Sequence, residues 1–238
     1  MAFSHSRHST HENGAGFTLT CAVTLASTVK ASSLVLVSVG WASNPGDTCS
    51  IADDKGNNYT LVDLLRSTAS GYTWQTAYLD GVTNAPITIT ATMISATRQF
   101  ISIIVGEYTG GLGGSSLNGH AINAQTNPAT TANALTSTNF TPTANNSLIY
   151  GSLVDASSIG AISAGTNYTL RLNNSSSSFD MEDKTLAVAA AGAATFTTAT
   201  SGASAFFVTG GLAIKPWISM VNRAVNIQTQ SNSRASFW

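Results

Sequence analysis

Short runs of apolar and polar residues in alternation, bounded by clusters of Gly, Asn, Asp, Pro and Ser, recur along the whole chain. The three-to-four spacing of an amphipathic helix is almost absent. The pattern predicts strands over Gly16–Leu25, Ser33–Ala42, Thr48–Ala52, Tyr59–Ser67, Thr73–Leu79, Ile87–Met93 and Gln99–Tyr108 in the first half. In the second half it predicts Gly119–Ala124, Ala134–Phe140, Leu148–Val154, Tyr168–Leu172, Met181–Val188, Ala194–Thr200 and Ala205–Ile214. Leu34–Val37 and Ile101–Val105 are apolar without a break, as central strands with neighbours on both sides are.

Turn chemistry separates the strands. Asp53-Asp54-Lys55-Gly56-Asn57-Asn58 offers acidic side chains to backbone N–H groups and a Gly for positive φ, the makings of a tight connection. Asn44-Pro45-Gly46-Asp47 stops the preceding strand. Gly110-Gly111-Leu112-Gly113-Gly114-Ser115-Ser116 is the softest point and reads as a hinge or a crossover between sheets rather than as a domain boundary. Many short strands at spacings of roughly ten residues fit an all-β fold, a two-sheet antiparallel β-sandwich of jelly-roll or expanded immunoglobulin-like type. The expected division is an N-terminal arm over 1–15, a sandwich over 16–216 and a C-terminal arm over 217–238.

Composition narrows the functional classes. Only 9% of the 238 residues are charged and the formal net charge is -1, so there is no basic face for direct nucleic-acid binding. At 43% hydrophobic the chain lacks the disordered signature. No apolar stretch approaches the roughly 18 residues of a membrane helix. Met1–Glu12 contains neither an apolar core nor a small-residue cleavage site, so the expectation is synthesis in the cytoplasm without a signal peptide. Under that expectation Cys21 and Cys49 read as buried free thiols, and the three Asn-X-Thr sequences carry no glycosylation meaning.

The strand leading into Trp41, the Ile51-Ala52-Asp53-Asp54-Lys55-Gly56-Asn57-Asn58-Tyr59-Thr60-Leu61 block, Val105-Gly106-Glu107-Tyr108-Thr109-Gly110 and the closing Phe206–Pro216 carry a resemblance. Together they resemble a β-sandwich module of bacteriophage structural proteins and of bacterial surface or secreted proteins. The resemblance spans Gly16 to Pro216 and implies a non-enzymatic virion component: a capsid decoration, a fibre or a tail surface protein. Its expected partners are further copies of itself, a trimer among the arrangements that suit it, together with other virion proteins. The alternative is a carbohydrate- or host-receptor-binding module meeting a host-surface glycan. For assembly, the candidate partner-binding residues are Trp217, Ile218, Val221, Val225, Ile227, Phe237 and Trp238 of the C-terminal arm. For glycan binding, Tyr72, Trp74 and Tyr78 share one side of a strand, where core packing competes with display.

No catalytic, cofactor or metal residues are assigned. His5, His8 and His11 have a spacing that would present imidazoles to a metal on a helix, but their Ser- and Thr-rich surroundings favour a docked or solvated arm. The Asp53–Asn57 loop resembles a calcium loop without its later bidentate Glu, and turn chemistry explains it equally. His120 has no nucleophile-elbow sequence to serve. Glu107, inside an apolar strand, is the carboxylate expected to be buried, as an acceptor for a neighbouring loop rather than as half of a glycosidase pair.

Overall fold

The computed structural model describes residues 3–13, 18–42, 44–95, 100–110, 117–127, 134–155, 162–174, 179–198 and 205–216. Within them the protein is all-β, with antiparallel sheets packed face to face. The first half contributes β1 (Ser4–Glu12), β2 (Thr20–Thr24), β3 (Leu34–Ala42), β4 (Thr48–Asp53), β5 (Thr60–Arg66), β6 (Tyr72–Leu79), β7 (Thr88–Ile94) and β8 (Ile101–Thr109). The second contributes β9 (Leu117–Asn127), β10 (Ala134–Thr136), β11 (Ser147–Asp155), β12 (Ile162–Ala164), β13 (Thr169–Asn174), β14 (Phe179–Leu186), β15 (Thr195–Thr198) and β16 (Ala205–Ile214).

The sheet orders repeat. The first half forms β1-β8-β3-β6-β5 and β2-β7-β4; the second forms β9-β16-β11-β14-β13 and β10-β15-β12, the same two sheets strand for strand. Irregularities repeat with them. A bulge between His5 and Arg7 lies opposite Tyr108 and Glu107 on β8, and the matching bulge of β9 lies opposite Ile214 and Ala213 on β16. β5 and β13 also carry matching bulges, after Leu61 and after Leu170. The sequence keeps traces of this duplication: Asn58-Tyr59-Thr60-Leu61 recurs as Asn167-Tyr168-Thr169-Leu170, and Ser33, Leu34 and Ser38 align with Ser147, Leu148 and Ser152. The sandwich expected over 16–216 is thus two sandwiches, and the Gly-rich segment read as a hinge or crossover separates them.

Each unit has its own core between its two sheets. Val35, Val37, Val39 and Trp41 of β3, with Ile101, Ile103 and Val105 of β8, meet Val23, Ile89, Ala91 and Met93 of the small sheet. In the second unit Leu153 and Phe207 meet Leu135, Ile162 and Phe196, while Ile149 and Ala213 meet Phe140. The alternate residues of the five-stranded sheets form a third core between the units. There Leu34, Leu36, Trp74, Tyr78, Ile104 and Tyr108 pack on Leu148, Tyr150, Phe179, Met181, Val208 and Leu212. β3 and β8 are therefore buried on both faces, which is why their sequences read as continuous apolar runs.

At the centre of this third core, corresponding residues touch. Ser38 Oγ donates to Ser152 Oγ at 2.9 Å, and the Trp74 and Phe179 rings, equivalent by register, lie 5.7 Å apart. Contact between a residue and its own counterpart is the mark of a twofold arrangement. Tyr150 Oη at 2.9 Å from Ser38 Oγ and Trp74 Nε1 donating to Ser152 at 3.1 Å complete the buried polar knot.

The expected N-terminal arm is not separate from the fold, because Ser4–Glu12 pairs with β8 as the edge strand of the first large sheet. Its polar residues are partly exposed, so no apolar alternation announced it. The expected C-terminal arm lies outside the described residues.

Gly40 faces the core between the units: a Cβ there would come 2.5 Å from the Phe179 ring of the second unit and 2.7 Å from Trp74. Gly40→Ala should lower stability by about 1–3 kcal/mol through overpacking. Gly192→Ala, whose Cβ would meet nothing within 4 Å, should stay within about 0.5 kcal/mol of the parent. Urea midpoints of the two variants check this.

Candidate functional site

Two places concentrate polar chemistry, a junction between the units and a cleft in the second unit. At the junction the β1 bulge turns His5 and His8 to the same face, with His8 Nδ1 3.3 Å from His5 Nε2. His5 packs edge-on against Tyr108 at 5.4 Å between ring centroids. Tyr108 Oη donates to Asp183 Oδ2 at 2.9 Å, tying β8 of one unit to β14 of the other. Arg171 holds the same carboxylate in two bonds, Nε to Oδ2 at 2.8 Å and Nη2 to Oδ1 at 3.0 Å. Burial, followed by the Arg171 charge, lowers the pKa of both His5 and His8, which favours neutral imidazoles. His11 is paired with Ile103, a residue of the first core, and so falls on the opposite face from His5 and His8. The three histidines do not converge, and no cluster of three metal-ligating side chains occurs among the described residues.

His120 occupies in β9 the place His8 holds in β1, and it too meets a strand of the other unit. Its Nδ1 is 2.8 Å from Asp63 Oδ1 on β5. Among the described residues no serine hydroxyl hydrogen-bonds to His120, so the pair is not extended into a triad.

The buried acids are used as internal acceptors. Glu107 is fully buried and receives the Lys30 backbone N–H at 2.8 Å, the Ser33 hydroxyl at 3.0 Å and the Arg7 guanidinium. Burial pushes its pKa up, but the bonds from Arg7, Lys30 and Ser33 outweigh burial and hold it below the usual value. This is the loop-holding role its sequence context suggested. Glu182 receives the N–H groups of Gly165 and Thr195, each at 2.9 Å; burial dominates there and pushes its pKa up to about 8. Asp53 is saturated by the N–H groups of Lys55 and Asn57, the Asn57 amide and the Tyr59 hydroxyl, so turn formation accounts for the calcium-like loop. Cys21 and Cys49 are buried and unpaired on strands flanking β7, and burial pushes both thiols up to about 12, which keeps them unreactive.

The cleft lies beside Tyr168 in the second unit. It has a volume of about 350 Å³ and is lined by Thr136, Asn139, Thr166, Tyr168, Lys184, Ala193 and Thr195. Tyr168 is fixed by donating its hydroxyl to the Ala193 carbonyl at 2.6 Å, and Lys184 Nζ sits 4.0 Å above its ring. Sequence reading missed this site because its residues come from four separate segments. The recurring Asn-Tyr-Thr-Leu would have drawn attention to Tyr168 as one of a pair.

The residues singled out for binding fare differently. Tyr72, Trp74 and Tyr78 do share one face of β6, but that face is the core between the units. Trp74 is fully buried, Tyr78 is 7% exposed and Tyr72 packs near Phe100, so the strand displays no flat aromatic platform, and the core packing that competed with the alternative glycan role is what the strand adopts. Trp217, Ile218, Val221, Val225, Ile227, Phe237 and Trp238 lie outside the described residues. No protein-family model, no curated protein and no solved structure matches this chain.

The Arg7–Glu107 pair gives a pH test. A carboxylate whose folded pKa is lowered contributes stability above its unfolded pKa and loses it as pH falls through the folded one. Arg7→Gln should cost about 3 kcal/mol at pH 7, the scale of an uncompensated buried charge. The difference from the parent should shrink at pH 3, where Glu107 is protonated in the unfolded chain, as measured by urea unfolding at both pH values.

Proposed function

We propose that this protein is a structural, non-enzymatic virion component that assembles through copies of itself. The observation that carries the reading is the apolar exposure on the edge strand β5. This strand ends the first large sheet, pairs with β6 alone among the described residues, and shows Leu61 and Leu64 at 49% and 47% exposure, while β9 of the second unit meets it at Asp63. Such an edge is a template for pairing with another chain. The low charge of the chain leaves few ions to desolvate when copies meet. The resemblance to phage structural modules and the apolar residues of 217–238 support the same reading, with decoration, fibre and tail surface as the candidate locations and other virion proteins as further partners.

A second reading, a carbohydrate- or receptor-binding module, is favoured by the cleft at Tyr168 and Lys184.

Light scattering of the full chain, of a Leu61→Glu/Leu64→Glu variant and of a chain ending at Pro216 tests the assembly. A defined oligomer for the full chain and folded monomers for one or both altered forms are expected. Monomers throughout contradict self-assembly.

A further inference from the structure

The internal duplication supplies a comparison within the molecule. Tyr59 and Tyr168 are counterparts in the repeated Asn-Tyr-Thr-Leu, and Ala77 and Leu79 of β6 match Glu182 and Lys184 of β14 by register. In the first unit the stretch from Ile51 to Tyr59 is two residues longer than that from Ile162 to Tyr168. That stretch carries Asp53 and Asn57, and the Tyr59 hydroxyl donates to Asp53 at 3.1 Å. In the second unit the loop is short, Tyr168 turns its hydroxyl to Ala193 and the open cleft lies alongside. A cationic and an acidic side chain have replaced Leu79 and Ala77 at matching positions. The two units share a scaffold and differ in the residues that line this place.

The lining has a definite chemistry. Lys184 Nζ is held over the Tyr168 ring and forms no ion pair among the described residues. Glu182 lies behind the wall and gives both its oxygens to backbone N–H groups of Gly165 and Thr195. Burial pushes the Glu182 pKa up to about 8, its two oxygens are taken up by those N–H groups rather than by Lys184, and burial also lowers the pKa of Lys184 while Glu182 raises it. The rest of the lining includes Thr136, Asn139, Thr166 and Thr195, residue types whose side chains both donate and accept. The volume of about 350 Å³ lies at the small end of ligand sites, suited to one or two rings rather than a long chain.

From this geometry we infer that the cleft between Tyr168, Lys184 and Thr195 binds a carboxylated sugar, its carboxylate on Lys184 and its hydroxyls on the threonines and Asn139. The assignment rests on the binding-module reading and names its ligand class. Lys184 is the group that selects acidic over neutral sugars, because the hydroxyl-rich remainder of the lining would accept either.

The test is ligand-observed NMR titration of the full chain with D-glucuronic acid, N-acetylneuraminic acid and D-glucose. Parallel titrations use Lys184→Met, which keeps an unbranched stem over Tyr168, and Lys184→Arg, which keeps the charge. At least one acidic sugar should bind in the millimolar range or tighter, and glucose at least roughly ten-fold more weakly, the scale of one charge-assisted hydrogen bond. Lys184→Met should lose that advantage and Lys184→Arg should retain part of it. Equal binding of glucose and the acidic sugars, or full acidic-sugar affinity in Lys184→Met, overturns the ligand class while leaving a sugar-binding module standing. Absence of binding by all three sugars up to about 50 mM overturns both.

Discussion

Everything in this fold depends on two five-stranded sheets placed back to back. The face between them brings Trp74, Tyr108, Tyr150 and Phe179 into one buried layer, and each of these side chains is fully buried. Large aromatic side chains dominate core energetics because each removes so much apolar surface from water. Without its neighbour each large sheet would expose this layer, a patch far larger than a folded domain normally shows. The buried hydroxyls of Ser38, Ser152 and Tyr150 are affordable there only because they bond to one another across the face. That polar knot also fixes the register of one sheet on the other.

The twofold arrangement explains why chemistry collects at the rims. Where His5 and His8 of β1 feel Arg171 and Asp183, and where β9 passes β5, edge strands of one unit meet the other at a partly exposed boundary. Histidines at matching positions, His8 and His120, stand at both rims, yet their partners differ: a histidine and an Arg-bound acid around the first, Asp63 beside the second. The same divergence separates the filled loop at Tyr59 from the open cleft at Tyr168. A shared scaffold with unequal rims lets one unit fill with its own side chains the place that its counterpart leaves as an open cleft.

The strands of the core were legible in the sequence for a physical reason. Leu34–Val37 and Ile101–Val105 are covered on both faces and must be apolar throughout, while Ile89, Ala91 and Met93 alternate because only one side of β7 is buried. β1 was illegible: an edge strand at the rim between units is stabilised by backbone pairing and by Arg7 reaching Glu107, and needs no apolar pattern. β12 was missed because three residues are too few to show a period. Glu107 could be placed from its apolar neighbours alone. The cleft could not, since Thr136, Tyr168, Lys184 and Thr195 are brought together only by sheet packing. The burial of Trp74 and Tyr78 likewise follows from a second unit whose existence the sequence signals only through Asn-Tyr-Thr-Leu and the Ser-Leu repeats.

The central claim is that the two units share one core and cannot unfold apart. Differential scanning calorimetry of the full chain tests it most directly. A shared core predicts one transition whose van 't Hoff and calorimetric enthalpies agree, because losing either unit uncovers the aromatic layer of the other. Two resolved transitions, each with about half the enthalpy, would contradict it and show two sandwiches that merely touch.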